Sequence, residues 1–226
     1  MATTAPNKNS IATDEMVFVA GNTGSGKSVL AKVYLSMFPK VVMLDTKGDA
    51  LRDMKKNINP WPQVDPKMLA ISTSFDQLTN DILDGNKSHY IYVPSPSEMN
   101  LNSYDLFFRY LFDMENVTAF VDEVFAVSPN PMVIPEYYQA ILTRGRTRDV
   151  AAWSLTQRPS GITPLPLSQS THVFAFNLNL PDDRKKMAKT TGMTEFLDNP
   201  GGHNFWYYRQ GYERAVKAVL ELKGGE

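Results

Sequence analysis

Eight consecutive residues constrain this chain more than any others. Gly21-Asn22-Thr23-Gly24-Ser25-Gly26-Lys27-Ser28 fits the pattern G-x-x-x-x-G-K-[ST] at every fixed position. The apolar run Met16–Ala20 before it reads as a buried strand, and Ser28–Met37 after it carries apolar residues at helical spacing. A strand, a glycine-rich loop and a helix in this order form an anion cradle. Glycines let the backbone approach an oxyanion closely, and N–H groups at a helix N-terminus point toward negative charge. Residues Gly21, Asn22, Thr23, Gly24, Ser25, Gly26, Lys27, Ser28 and Val29 are therefore the expected nucleotide-binding set. Lys27 would reach the β- and γ-phosphates, and the Ser28 hydroxyl would ligate Mg²⁺. The expected cofactors are ATP and Mg²⁺. The alternative, a glycine-rich turn that only caps a helix, is disfavoured by the strand before the loop and the helix after it.

Beyond the loop, short apolar runs alternate with helical patterns. Strands are expected at Val41–Leu44, Met68–Ile71, His89–Val93, Val117–Val121, Val150–Leu155 and Thr171–Phe176. Helices are expected at Phe75–Leu83, Tyr104–Met114, Pro135–Leu142 and Pro181–Lys189. Asn204–Tyr208 and Ala215–Leu220 read as a closing hairpin with Gln210–Gly211 as its turn. This alternation predicts an α/β fold, a mainly parallel sheet flanked by helices with a C-terminal hairpin. The proline-rich stretches 127–134 and 159–168 read as loops within one domain, residues 15–226, behind a flexible arm of residues 1–14.

Three further clusters carry chemistry. Asp122-Glu123 follows VTAFV directly, and a carboxylate at a strand's C-terminal end lies beside the phosphate loop in such a fold. Asp122 would complete the Mg²⁺ shell and Glu123 would polarise the attacking water. Gln157 ends the next strand and could contact the γ-phosphate and the water together. Arg144, Arg146 and Arg148 crowd one loop. They would stabilise charge on a neighbouring subunit's phosphate, touch DNA phosphates, or stand as a solvated loop. Lys47, Arg52, Lys55 and Lys56 form a basic run that would either grip a nucleic-acid backbone or make a solvated helix face. His89 and His172 sit in strands and read as structural. The aromatic helix 104–112 reads as core or subunit interface rather than a base-stacking platform.

Taken together, GNTGSGKS, VVMLDTKGD, AFVDE and TRGRTRDVAAWSLTQRPS resemble the HerA/FtsK superfamily of pumping ATPases, over about residues 15–220. The resemblance implies a P-loop NTPase fold of the RecA/ASCE-like kind. The chain is little more than a motor core, which is similar to the genome-packaging ATPases of tailless, membrane-containing double-stranded DNA viruses. That resemblance implies a Mg-dependent ATPase forming a hexameric homo-oligomeric ring. It also implies double-stranded DNA and capsid vertex or portal proteins as partners, in the host cytoplasm and at the virion packaging vertex. The family places an arginine eleven residues before the glutamine of its T-Q-R-P motif, here Arg146 before Gln157. Arg146 is then the first candidate for the trans-acting finger and Arg148 the second. The family commonly has glycine where this chain has Asp149.

Composition narrows the alternatives. With 23 basic and 24 acidic residues, a polybasic coat for nucleic acid is excluded. The absence of cysteine excludes disulfides, thiol catalysis and iron–sulfur clusters. No apolar run approaches the ~18 residues of a membrane span, so no transmembrane segment is expected. The competing functions are a plasmid conjugation or mobilisation ATPase, a P-loop nucleotide kinase and a non-catalytic nucleotide switch. Glu123 and Gln157 favour activating water over passing a phosphoryl group to a second substrate.

Overall fold

A strand covered on both faces must be apolar along its whole length. VFVA and VVML meet that demand, VTAFV and VAAWSLT depart from it only at Thr118, Ser154 and Thr156, and every residue of all four strands is buried. The computed structural model describes residues 11–220. In chain order its first half runs β1 (Val17–Ala20), α1 (Lys27–Leu35), β2 (Val41–Leu44), α2 (Asp49–Lys55), β3 (Leu69–Ser72), α3 (Phe75–Leu83), β4 (His89–Tyr92) and α4 (Leu101–Met114). The second half runs β5 (Val117–Val121), α5 (Val124–Val127), α6 (Glu136–Arg144), β6 (Val150–Thr156), α7 (Leu165–Ser168), β7 (His172–Ala175), α8 (Pro181–Thr191), β8 (Asn204–Arg209) and β9 (Val216–Val219).

The nine strands form one sheet in the order β3-β4-β2-β5-β6-β1-β7-β8-β9. All neighbours through β7 pair in parallel, and β8 and β9 add an antiparallel edge. This is the expected mainly parallel α/β architecture. β6 lies between β1 and β5, so three strands end together where the loop, the acidic pair and the glutamine stand. Side chains alternate between two cores, as a period of two requires. Phe18 and Ala20 of β1 join α4 and α6 residues such as Phe107, Phe108 and Tyr138. Val17 and Val19 face the other way, onto Leu30, Ala31 and Leu35 of α1. The aromatic helix is accordingly core: Phe108 stacks on Tyr138 at 4.5 Å between ring centroids.

Several boundaries differ from the sequence reading. α4 starts at Leu101 because Asn100 caps it, its side chain accepting the Ser103 N–H. The 159–168 stretch holds the short helix α7, with Pro166 in its first turn, where a missing N–H costs nothing. α2 falls within the basic run. The hairpin connection spans residues 210–215 rather than a two-residue turn, since Tyr207 pairs with Val216. Residues 1–10 of the expected arm lie outside the described residues. The rest of the expected arm, 11–14, is held: Ile11 is buried in the core and Asp14 pairs with Arg146. Residues 221–226, the far end of the expected domain, also lie outside the described residues.

Two histidines are buried and structural, as their strand positions suggested. His172 Nε2 lies 2.9 Å from Glu15 Oε2 and Nδ1 lies 2.8 Å from the Tyr207 hydroxyl. His89 lies between the Ser88 hydroxyl and the Leu35 carbonyl. Burial holds the pKa of both imidazoles below the ordinary value, and Glu15 only partly opposes this for His172. Unfolding then takes up protons below the ordinary histidine pKa of 6.5, so stability is present above it and lost as pH falls. Glu15 acts in the same direction at lower pH. Hydrogen bonds from the Ala12 N–H and His172, with the Arg209 charge, outweigh its burial and hold its pKa below normal. The melting temperature should therefore fall between about pH 7 and about pH 5.5, each histidine contributing up to ~1.4 kcal/mol per pH unit. His172→Gln should flatten this slope in scanning calorimetry. An unchanged slope would remove His172 from the account.

Candidate active site

Gly21 must be glycine for a packing reason. A Cβ there would lie 2.6 Å from Phe176 Cβ and 2.7 Å from Ser25 Oγ. Gly26 takes φ +103 at the N-terminus of α1, a left-handed conformation that glycine adopts without strain. The loop is tied at both flanks. Asn22 Nδ2 donates to Asn179 Oδ1 at 2.6 Å, and Thr23 Oγ1 donates to Gln157 Oε1 at 2.8 Å. Gln157 is thereby brought from the end of β6 onto the loop.

Lys27 is buried and its ammonium donates to the Asn22 carbonyl at 2.8 Å, inside the cradle. Burial pushes its pKa down to about 8, and Lys47 pushes the same way against the opposing pull of Glu123 and Asp122. Among the described residues, Ser25 Oγ is a buried oxygen of the loop with no hydrogen-bond partner. An orphaned buried hydroxyl in a glycine-rich loop at a helix N-terminus fits a phosphate oxygen. Beside the loop lies a cavity of about 490 Å³, lined by residues 24–29 with Phe176, His203 and Leu220. Its apolar wall and size suit a nucleoside.

At the end of β5, the Ser28 hydroxyl donates to Asp122 Oδ1 at 2.7 Å. A hydroxyl and a carboxylate in contact are the hard oxygen donors that Mg²⁺ takes, alongside phosphate oxygens. Ser28 and Asp122 therefore fit the ion. Glu123 caps α5, its carboxylate accepting the Phe125 N–H at 3.4 Å. Lys47 closes the group. Its ammonium stands 3.3 Å from Asp122 Oδ2 and 3.6 Å from Glu123 Oε2.

Lys47 belongs to the run read as a DNA grip or a solvated face, and the structure places its ammonium against two carboxylates. Asp45 sets that place. Fully buried, it accepts the N–H groups of Lys47, Gly48 and Ala50. Burial, reinforced by the nearby Asp122 charge, raises its pKa. The D-T-K-G-D stretch after β2 carried a signal, since Asp45 ends a strand as Asp122 does. Phe176, Asn179 and His203 come from segments that no local pattern linked to the loop.

The arginines stand at the other end of the sheet. Their loop precedes β6, whereas the phosphate loop follows β1, and β6 is seven residues long. At ~3.3 Å per residue the two edges are roughly 20 Å apart, beyond an arginine's reach. Arg146 is 74% exposed in its side chain and pairs with Asp14 at 3.0 Å. It borders an open concavity of about 540 Å³ shared with Arg209 and Tyr212. Arg148 is instead tied inward. It donates to the Phe112 carbonyl, pairs with Glu115 and lies over the Phe112 ring.

Asp149 occupies the glycine position with φ 53 and ψ 36, the left-handed conformation that aspartate tolerates. The loop thus keeps a glycine-compatible shape. Asp149→Gly should relieve this strain and stabilise the fold by about 0.5–1 kcal/mol in denaturant titration. A loss of stability would show that the carboxylate is needed there.

No protein-family model matches the sequence. The chain is 28% identical over 175 residues to DNA packaging ATPase P9 of Enterobacteria phage PRD1, covering 76% of this chain and 67% of that one. Its fold is that of the genome packaging NTPase B204 from Sulfolobus turreted icosahedral virus 2. The AMP complex aligns with TM-score 0.70 at 14% identity, over 94% of this chain and 100% of that one. The pCW3 conjugation coupling protein TcpA aligns with TM-score 0.57 at 14% identity, over 90% of this chain and 59% of that one. The chain resembles the viral genome-packaging P-loop ATPases in sequence and shares their fold.

Proposed function

We propose that this chain is an ATP-hydrolysing motor that moves double-stranded DNA into a preformed viral capsid, working as a homo-oligomeric ring at the packaging vertex. One observation carries the reading: phosphate loop, Ser28–Asp122 pair, Glu123 and Gln157 meet at one sheet edge. They meet in a chain 28% identical to a phage DNA packaging ATPase. In this reading the loop N–H groups and Lys27 bind the phosphates, and Ser28 and Asp122 hold Mg²⁺. The bound ion would neutralise charge between the β- and γ-phosphates. Glu123 orients the water and draws off its proton, and Gln157, bonded to Thr23, reports loss of the γ-phosphate to the loop.

Charge stabilisation from a neighbour completes the site. Arg146 is separated from its own loop by the length of the sheet, so it serves the next subunit's nucleotide. Its exposure favours it over Arg148, whose guanidinium is already engaged. The pairing with a DNA-pumping conjugation ATPase as second reading rests on the TcpA likeness, which is one of fold alone. A nucleotide kinase is disfavoured by the water-activating carboxylate beside Asp122.

Steady-state hydrolysis of Mg·ATP, with Lys27→Ala as the blank, should rise several-fold on adding linear double-stranded DNA. Glu123→Gln should bind ATP normally and turn over at least ~100-fold more slowly. Hydrolysis indifferent to DNA would count against the translocase, and normal turnover by Glu123→Gln would remove it as the base. A mixing experiment tests the trans arginine. Arg146→Ala and Lys27→Ala should each be inactive, while their mixture regains hydrolysis, because the second supplies Arg146 to the first. A silent mixture of assembled subunits would overturn the assignment.

A further inference from the structure

Lys47 and a divalent cation are rivals for the same carboxylate. Asp122 Oδ1 accepts the Ser28 hydroxyl, and Asp122 Oδ2 faces the Lys47 ammonium at 3.3 Å. The same ammonium lies 3.6 Å from Glu123 Oε2. Its backbone does not depend on these contacts, because buried Asp45 holds the Lys47 N–H and the next turn. The side chain is one-third exposed, a flexible stem on a fixed base. Its charge also acts on Lys27 of the phosphate loop, so Lys47 lies within Coulomb range of that loop as well as of the carboxylates.

We infer that Lys47 is an exchangeable counter-ion: it guards Asp122 and Glu123 against a lone divalent cation, then moves to the terminal phosphate when metal and nucleotide arrive together. The inference rests on the ATPase reading above. The reasoning is one of charge. Two ammonium groups, Lys27 and Lys47, face two carboxylates. A lone divalent cation must displace Lys47 and leaves the group with excess positive charge. A metal–nucleotide complex brings net negative charge, which draws the ammonium away from Asp122. The exchange leaves Asp122 to the metal and Glu123 to water. No bond is made or broken in this step.

Mn²⁺ is the probe, followed by the loss of its free electron paramagnetic resonance signal on titration with the full chain. The titration is run without nucleotide and with a non-hydrolysable ATP analogue. Lys47→Met should bind Mn²⁺ alone about tenfold more tightly than the parent, and the Mn²⁺–analogue complex about tenfold more weakly. Lys47→Arg keeps the charge and should restore both affinities toward the parent. A structural role for Lys47 would move both affinities the same way, or neither, and either result overturns the inference. Should Lys47→Met fail to fold in thermal melts, Lys47→Gln carries the same expectation. Failure of the ATPase reading would be seen separately, as a parent chain that does not bind the analogue.

Discussion

Side-by-side parallel pairing of β5, β6 and β1 sets where each charged group of the site stands. Ala20 aligns with Thr156 and Val121 with Ser154, so three chain segments leave the sheet at one edge. The first becomes the phosphate loop, the second the Asp122-Glu123 pair, the third Gln157. With β6 between the others, the glutamine stands between cradle and carboxylates, and the Thr23–Gln157 hydrogen bond crosses the gap. Strands so fully buried give little when a ligand pushes on their ends. The 2.7 Å contact of Ser28 with Asp122 depends on that rigidity, because its two residues are 94 positions apart.

The same pairing separates the arginine loop from the phosphate loop of the same chain. A chain cannot shorten a seven-residue strand, so Arg146 is exposed at the opposite end of the sheet. Asp14 and Glu15, just before β1, engage Arg146 and Arg209 at that edge. The start of the described chain is therefore fixed to the fold at this end of the sheet. In the proposed reading each site is complete only with a partner's guanidinium, so activity would require assembly of subunits.

Much of the site was legible because its chemistry is local in sequence. The phosphate loop needs its glycines, lysine and hydroxyl within eight residues, and a nest of N–H groups is built by consecutive peptides. Asp122 and Gln157 were legible because a polar residue ending an apolar strand can only stand at a sheet edge. Lys47 was not legible as a site residue. A lysine in a basic run looks alike whether it faces water or two carboxylates, and only the pairing of β2 with β5 decides which. Arg146 and Arg148 likewise differ by two positions and are chemically identical. The Phe112 carbonyl and Glu115 claim one of them through folding.

By itself, then, the sequence determined the strand–loop–helix cradle, the two-sided burial of the parallel strands, and the residue types able to bind phosphate, hold Mg²⁺ and activate water. Periodicity and short-range spacing encode these, since each depends on neighbours within a few residues. Tertiary structure alone decided the strand order, the partnership of Lys47 with Asp122 and Glu123, the holding of residues 11–14, and the exposure of Arg146 against the capture of Arg148. Those outcomes depend on contacts between segments tens to more than a hundred residues apart. Their free energy comes from sheet register and core packing, which local pattern does not record.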